Sequence, residues 1–253
     1  QYDALGRVNA RTVDSSRETF AYDALNRTVS HGSPLGTFEQ SHLGETAQLT
    51  GLHLTNSLLG SDWQYDDNLN DRRLLQISHS GATRRYDYQT TPENRISHIM
   101  ETGPAISRQQ TRSWTYSYDA ADRLLQANAN DGRQYAYDYD PGDNLTAITT
   151  PAGTTRFTVN SVNQITAANS RTYRYDANGN VIDDGVRTYR WDADNRLLRV
   201  GYKARPSRNT QFRYDGLGRR VVIVSNNGVM AASESRYLWC GGQLCQARTA
   251  ADI

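Results

Sequence analysis

The sequence predicts an all-β fold built from tandem antiparallel β-hairpins. Three observations predict it. A Tyr-Asp or Trp-Asp pair followed by a short turn recurs along the chain, one turn position is restricted in residue type, and aromatic residues before the turns lie two positions apart. The recurrence is clearest in "RTYRYDANGNV" and "RTYRWDADNRL", which begin at Arg171 and Arg187. Such self-similarity is the signature of a repeat architecture.

Eight segments align when each is numbered from its aromatic or equivalent residue. Their fifth position is always Gly, Asn or Asp, the residue types that best tolerate a positive φ angle. A short hairpin loop that ends on one left-handed residue needs such a residue at one fixed place. The segments are YDALGRV at Tyr2, YDALNRT at Tyr22, YDAADRL at Tyr118, YDPGDNL at Tyr139, VNSVNQI at Val159, YDANGNV at Tyr175, WDADNRL at Trp191 and YDGLGRR at Tyr214.

The second and sixth positions predict how each turn is held. The second is Asp in seven segments and Asn160 in the other, and a short side-chain oxygen there accepts hydrogen bonds from amides inside the turn. The sixth is Arg in five segments, and we expect its guanidinium to pair with the entering Asp. The predicted structural turn residues are Asp3, Gly6, Asp23, Asn26, Asp119, Asp122, Asp140, Asp143, Asp176, Gly179, Asp192, Asn195, Asp215 and Gly218.

Aromatic residues precede most turns at a spacing of two, as in Phe20 and Tyr22 or Trp114, Tyr116 and Tyr118. This spacing is typical of a β-strand and places each row on one face of a sheet. Such rows usually pack or line an interior, and the alternative is contact with a ligand by stacking. The candidate stacking residues are Tyr116, Tyr118, Tyr137, Tyr139, Tyr173, Tyr175, Tyr189 and Trp191.

We expect one repeat domain over residues 1–253. Residues 1–30 and 61–253 carry repeats, 31–60 is interpreted as a diverged repeat, and an atypical last unit is expected near 237–247. The loops after Tyr65 and Tyr88 are expected to be longer than the others, and Pro92 fits a wider loop.

Composition argues against several classes of function. The net charge is +1, which disfavours nucleic acid as a partner but leaves a local charged patch open. No apolar run is long enough to predict a membrane span. No cofactor, metal or catalytic residue is predicted, since the five His residues match no zinc motif and no nucleophile motif is found. We therefore do not expect an enzyme.

Two local features have structural interpretations. Asp183 and Asp184 resemble a catalytic pair, but adjacent strand residues point to opposite faces, so "VIDDGVRT" is read as a hairpin turn around Asp-Gly. Cys240 and Cys245 are too few for a disulfide framework. A hairpin could bring them together, but we expect free thiols.

With Tyr-Asp, a Gly or Asn turn and an Arg exit at these positions, the chain resembles the RHS or YD-repeat family. That family includes bacterial polymorphic toxins, the C components of Tc toxin complexes and teneurins. The resemblance implies a continuous curved or spiralling sheet that is part of a hollow shell or barrel enclosing a toxin segment. The implied partners are the rest of the same RHS polypeptide and an enclosed toxin or effector, and the implied location is secreted or at the cell surface.

The resemblance also limits the expected chemistry. The family's self-cleavage motif, of the type DPxGxxxG, has no match up to Ile253, so self-cleavage is not assigned. The expected role is a structural shell segment without catalysis. The alternative is a carbohydrate or cell-surface binding module that uses the aromatic rows, and a cell-surface glycan would then be the partner. Open sheet edges also predict self-association.

Overall fold

The structure, a computed structural model, describes residues 1–68, 71–81, 83–104 and 111–249. These residues form 24 strands, and the all-β prediction is confirmed. The first twelve are β1 (Ala10–Val13), β2 (Ser16–Tyr22), β3 (Thr28–Ser33), β4 (Gly36–His42), β5 (Leu49–Leu54), β6 (Gly60–Tyr65), β7 (Leu74–His79), β8 (Arg84–Thr90), β9 (Ile96–Thr102), β10 (Arg112–Tyr118), β11 (Leu124–Ala129) and β12 (Gln134–Tyr139). The others are β13 (Leu145–Thr150), β14 (Gly153–Val159), β15 (Ile165–Ala168), β16 (Arg171–Thr172), β17 (Arg174–Tyr175), β18 (Val181–Asp183), β19 (Arg187–Trp191), β20 (Leu197–Tyr202), β21 (Asn209–Tyr214), β22 (Arg220–Asn226), β23 (Ser233–Cys240) and β24 (Gln243–Thr249).

Strands that are consecutive in the chain pair with each other, except β16 and β17. The order runs without crossover from β1 to β16 in one sheet and from β17 to β24 in a second. The hydrogen bonding breaks at Tyr173, whose N–H instead donates to the carbonyl of Thr166 at 2.9 Å. The tandem hairpins expected from the repeats are therefore present, with one interruption.

Two compact units can be distinguished by their internal contacts. One comprises residues 1–137 and 149–153 and contains β1 to β11. The other comprises residues 138–148 and 154–253 and contains β15 to β24. The expectation of a single repeat domain stays a prediction.

In strands such as β2, β10 and β14, burial alternates with a period of two, as the aromatic spacing predicts. In β2, Phe20 and Tyr22 are half-buried while Thr19 and Ala21 are exposed. We call the face that carries these rings the aromatic face and the other the polar face. Among the described residues the buried hydrophobic side chains are all small, namely Ala10, Ala127, Ala147 and Ala168.

A small residue on one strand leaves room for large rings on the two strands that flank it. Ala127 on β11 lies directly opposite Tyr116 on one side and Tyr135 on the other. Trp114 packs on the Tyr135 ring, with 5.8 Å between the ring centroids. The aromatic face is thus a layer of rings over backbone and alanine rather than an interior of large buried side chains.

The loop after β8 was wrongly expected to be wide. Strand β8 ends at Thr90 and not at Tyr88, so Thr90 takes the place of the aromatic residue and Thr91 the place of Asp. The N–H of Thr91 donates to the carbonyl of Arg95 at 2.7 Å, and Asn94 has φ 65°. The loop therefore has ordinary length, and Pro92 lies inside it without widening it. The loop after Tyr65 is longer, as expected, and its residues 69 and 70 lie outside the described part.

The expectation of free thiols is also wrong. Cys240 and Cys245 form a disulfide, with 5.7 Å between their Cα atoms. Strands β23 and β24 pair as a hairpin whose register shifts between Leu238 and Trp239, and this brings the two cysteines to bonding distance. Two cysteines are too few for a framework, yet one hairpin is sufficient to join them.

Candidate functional site

The repeated turn is the most regular local structure in the chain, and we call it the YD turn. In the turn after β2, the N–H of Asn26 donates to the carbonyl of Asp23 at 3.2 Å, and the N–H of Asp23 donates to the carbonyl of Arg27 at 3.0 Å. The fifth position has a positive φ in every aligned segment, between 59° and 84°. The same two backbone bonds recur in the turns that begin at Asp3, Thr91, Asp119, Asp140, Asn160, Asp176, Asp192 and Asp215.

The entering Asp holds the turn with both carboxylate oxygens. Oδ1 of Asp23 accepts from the N–H groups of Leu25 and Arg27, each at 2.9 Å, and Oδ2 accepts from Nε of Arg27 at 2.6 Å. These bonds favour the ionised carboxylate. The backbone N–H of Arg27 is the main cause, together with its side chain, that lowers the pKa of Asp23 below its ordinary value.

Other turns repeat this arrangement with Arg or Asn at the exit. Arg196 Nε lies 2.7 Å from Asp192 Oδ2, and Asn180 Nδ2 lies 3.1 Å from Asp176 Oδ2. At Asn160 an amide replaces the carboxylate, and its Oδ1 still accepts from the N–H of Gln164 at 2.9 Å. The pKa is likewise lowered at Asp3, Asp119, Asp176, Asp192 and Asp215.

The exit residue also bonds to the next YD turn, which the sequence analysis missed. Nη1 of Arg7 donates to Oδ1 of Asn26 at 2.7 Å, and Nη1 of Arg95 donates to Oδ1 of Asp122 at 2.7 Å. Asn exits do the same, from Asn144 to Asn163 at 3.0 Å and from Asn180 to Asn195 at 2.7 Å. Successive turns are therefore joined side by side, and we call this series of bonds the turn ladder.

The aromatic residue before each turn makes a second tie between hairpins. The hydroxyl of Tyr118 donates to the carbonyl of Ile96 at 2.7 Å, and Ile96 directly follows the exit residue of the preceding turn. Trp191 Nε1 donates to the equivalent carbonyl of Val181 at 2.8 Å. Equivalent bonds link Tyr22 to Val8, Tyr65 to Leu49, Tyr175 to Ile165, Tyr214 to Leu197 and Trp239 to Arg220.

The preceding exit arginine also lies over this aromatic ring. The guanidinium carbon of Arg7 is 4.7 Å from the centroid of the Tyr22 ring, and that of Arg95 is 5.3 Å from the Tyr118 ring. A cation over a ring face is attracted by the ring quadrupole. One arginine therefore contacts its own Asp, the next turn and the next ring.

The candidate stacking residues lie in three regions of the chain. Tyr116 and Tyr118 are on β10, Tyr137 and Tyr139 on β12, and the remainder, Tyr173, Tyr175, Tyr189 and Trp191, on or beside β17 and β19. All are half-buried, and burial raises the pKa of Tyr116 and Tyr175. The hydroxyl of Tyr189 donates to Oδ2 of Asp184 at 2.8 Å, so several of these polar edges already have partners.

The adjacent aspartates after β18 take part in a turn. Gly185 has φ 84°, and its N–H donates to Oδ1 of Asp183 at 2.7 Å, while Oδ1 of Asp184 accepts from the N–H of Val186 at 2.9 Å. Lys203 Nζ lies 2.6 Å from Oδ1 of Asp183. Both carboxylates thus hold a hairpin, in line with the interpretation of "VIDDGVRT" as a turn.

The described ranges contain neither a metal-binding cluster nor a membrane-spanning helix. Within them, no group of three or more His, Cys, Asp or Glu side chains is arranged to hold a metal ion. No helix in that part of the chain is long and apolar enough to cross a membrane. The arrangement of side chains found here joins hairpins to one another.

Sequence relatives include bacterial and animal proteins. The tRNA3(Ser)-specific nuclease WapA of Bacillus spizizenii is 28% identical over 131 residues, which is 50% of this chain and 5% of that protein. Human Teneurin-1 is 30% identical over 115 residues, 45% of this chain and 4% of that protein. The chain thus spans only about a twentieth of the length of the relatives it matches.

Solved structures share the fold over the whole chain. The Photorhabdus luminescens Tc holotoxin pore with the TccC3 mutation D651A matches with a TM-score of 0.77 and 18% identity, covering 100% of this chain and 14% of that one. The complex of TcdB2-TccC3 with Cdc42 matches with a TM-score of 0.66 and 13% identity, covering 100% and 17%. Residues 94–232, more than half of the sequence, match the family described as Teneurin YD-shell. The chain belongs to the teneurin YD-shell family.

Proposed function

We propose that this chain is a wall segment of a hollow YD-repeat shell that encloses or presents a toxin or effector, without catalysis of its own. The turn ladder carries the proposal. It joins consecutive hairpins through side chains that belong to two repeats at once, as between Arg7 and Asn26. A sheet built in this way can extend by adding hairpins in chain order, which is what a wall requires.

The relatives support the proposal that the shell encloses a toxin segment. WapA is described as a nuclease specific for a tRNA, and the Photorhabdus luminescens structure is described as a Tc holotoxin pore. We propose that the remainder of the same polypeptide completes the shell and that a toxin segment is its enclosed partner. Self-association through open sheet edges stays a prediction, and light scattering over a range of protein concentrations tests it.

We also propose that the protein acts outside the cytoplasm, secreted or at the cell surface. The disulfide between Cys240 and Cys245 supports this location, because disulfides persist in oxidising compartments and are rare in the cytosol. Thiol labelling of the protein recovered from culture medium and from cell lysate tests it. Labelling of both cysteines in every fraction would contradict the proposal.

The shell is tested by electron cryomicroscopy of the natural polypeptide that contains this sequence. We expect a closed compartment whose wall follows β1 to β24 in chain order. Limited proteolysis of the same protein should leave one internal segment protected. The double variant Asp119→Ala, Asp192→Ala, which removes the carboxylates of two YD turns, should expose that segment, whereas equal cleavage of both proteins would count against containment.

The carbohydrate alternative becomes an outcome of this test. A glycan array probed with the same protein would favour it if a signal appeared and was lost in the variant Tyr116→Ala. The half-burial of the aromatic rings and the bonds made by their polar edges favour the wall.

A further inference from the structure

Five arginines cross the polar face of the last strands, and we call them the arginine stripe. Arg190 on β19 lies opposite Arg199 on β20, and Arg236 on β23 lies opposite Arg248 on β24. Arg213 on β21 is separated from Arg236 by a single residue of β22. Neighbouring strands are about 4.8 Å apart, so the five steps from β19 to β24 give the stripe a length of roughly 24 Å.

Among the described residues, three members of the stripe, Arg190, Arg199 and Arg213, lack the carboxylate partners that the turn arginines have. Nε of Arg199 is buried and has no hydrogen-bond partner. Neither Arg190 nor Arg213 forms an ion pair with any described residue. Because Arg190 and Arg199 are directly opposite, their like charges oppose the pairing of β19 with β20. An anionic ligand would relieve this repulsion.

A groove lies along one end of the stripe. It has a volume of about 490 Å³, and Arg213, Arg236 and Arg248 line it together with the apolar side chains of Val222 and Leu238. Glu234 is the acidic residue in the lining, and its Oε1 lies 2.6 Å from Nε of Arg236. The positive charge of the groove is therefore only partly neutralised.

The charge of this region differs from that of the chain as a whole. Residues 187–249 contain twelve basic and four acidic side chains, a net charge of +8, whereas the complete sequence has a net charge of +1. The near-neutral total therefore conceals a basic region. A basic surface of this kind attracts anionic partners and speeds their association.

We propose that the arginine stripe is a docking site for an acidic peptide segment in extended conformation. The planar guanidinium fork matches the two oxygens of a carboxylate, and the apolar floor between the arginines suits the methylene groups of Glu side chains. The rings of Tyr189, Phe212 and Tyr214 belong to the opposite face, so nucleic-acid bases would have no aromatic row to stack on. At about 3.3 Å per residue, roughly seven residues span the stripe.

Fluorescence anisotropy with a labelled peptide of alternating Glu and Ser, about seven residues long, tests the proposal. We expect the variants Arg199→Gln and Arg213→Gln each to weaken binding about tenfold, as is typical for loss of a charge-assisted hydrogen bond. The control Arg205→Gln removes the same charge from an exposed loop residue and should change the affinity by less than about twofold. The peptide should also raise the melting temperature, since it binds only the folded protein.

Three results would overturn the proposal. The first is absence of binding when the peptide concentration reaches the millimolar range. Equal weakening by Arg205→Gln and Arg213→Gln is another, because it would indicate general attraction to the net charge. Tighter binding of an oligothymidylate of matched length, with the same dependence on Arg199 and Arg213, would assign the stripe to phosphate groups instead. The melting temperature of each variant without peptide separates these results from a loss of folding.

Discussion

At the scale of the residue, two features matter at the fifth position of the YD turn: a positive φ angle and an oxygen that accepts a hydrogen bond from the preceding turn. Gly adopts the positive φ without strain, as at Gly218 with φ 75°. Asn and Asp adopt it as well and add a side-chain oxygen that accepts a hydrogen bond from the preceding turn, as Asn26 does from Arg7. The Gly, Asn and Asp residues at this position predicted the positive φ angle. The hydrogen bond depends on which turns are neighbours, and that is known only once the hairpins are paired.

The turn after β21 offers a test in which two glycines differ in backbone angle but not in surroundings. No atom lies within 4 Å of the place where a Cβ would stand at Gly216 or Gly218, and only Gly218 has a positive φ. We expect Gly218→Ala to destabilise by about 1–2 kcal/mol, because an L-residue is strained there. Gly216→Ala should be neutral or stabilise by up to about 1 kcal/mol. Urea unfolding of both variants measures the difference, and equal midpoints would refute the turn assignment.

A double-mutant cycle tests the turn ladder. Asn26→Gly keeps the positive φ accessible and removes the oxygen that accepts from Arg7, and Arg7→Met removes the donor while keeping a side chain of similar length. If the bond joins the two turns, the effects of the two substitutions should not add, because coupled residues show a nonzero interaction energy. Thermal unfolding of the wild type, the two single variants and the double variant gives that energy. Strict additivity would show that the turns are energetically independent.

At the scale of the element, side-chain hydrogen bonds join neighbouring hairpins. The sequence shows which residues can donate these bonds, but it does not show which carbonyl groups accept them. Tyr and Trp, and not Phe, stand directly before most YD turns. A donor at the ring edge reaches the carbonyl after the preceding exit residue, as from Tyr118 to Ile96. The spacing of the aromatic residues was enough to predict a strand. Why their rings need a polar edge could be understood only once the strand register was known. The loop after Thr90 was misjudged for a related reason, since the repeat was aligned on an aromatic residue that this unit lacks.

Two tyrosines of β10 allow this tie to be isolated. Tyr118 and Tyr116 lie on the same strand and the same face, but only the Tyr118 hydroxyl has a described hydrogen-bond partner. We expect Tyr118→Phe to lower the free energy of unfolding by about 1 kcal/mol, the usual net contribution of such a bond. Tyr116→Phe should have a much smaller effect. Chemical denaturation monitored by circular dichroism compares them, and equal losses would argue against the tie.

At the scale of the whole molecule, the described chain has a thin interior that leaves much of its stability to repeated local bonds. The buried hydrophobic side chains of the described residues are alanines, and the rings in the aromatic rows are half-buried. The low mean hydropathy of the chain, -0.76, is in keeping with such packing. The arginine stripe was hidden from the sequence analysis, because a total charge near zero does not tell how charges are distributed over the two faces of a sheet.

The turn aspartates predict how the molecule responds to acid. Hydrogen bonds to the ionised carboxylate, chiefly from the N–H of Arg123, lower the pKa of Asp119. The pKa is lowered as well at the entering aspartates Asp3, Asp23, Asp176, Asp192 and Asp215. A folded-state pKa below the unfolded value near 3.9 stabilises the fold above that pH, and this contribution is lost as the pH falls through the folded pKa. The same contribution recurs in each of these turns, so its loss is repeated along the chain. We expect the urea midpoint to fall steeply below about pH 4.

One variant and one control assign this loss to the turns. Asp119→Asn should lower the urea midpoint near pH 6, where the wild-type carboxylate is ionised, and should differ little from the wild type near pH 2, where that carboxylate is protonated. The turn that begins at Asn160 is held by an amide, which does not titrate, so Asn160→Ala should lower the midpoint equally at both pH values. If the gap between the wild type and Asp119→Asn were the same at both pH values, the carboxylate would not be what stabilises the YD turn.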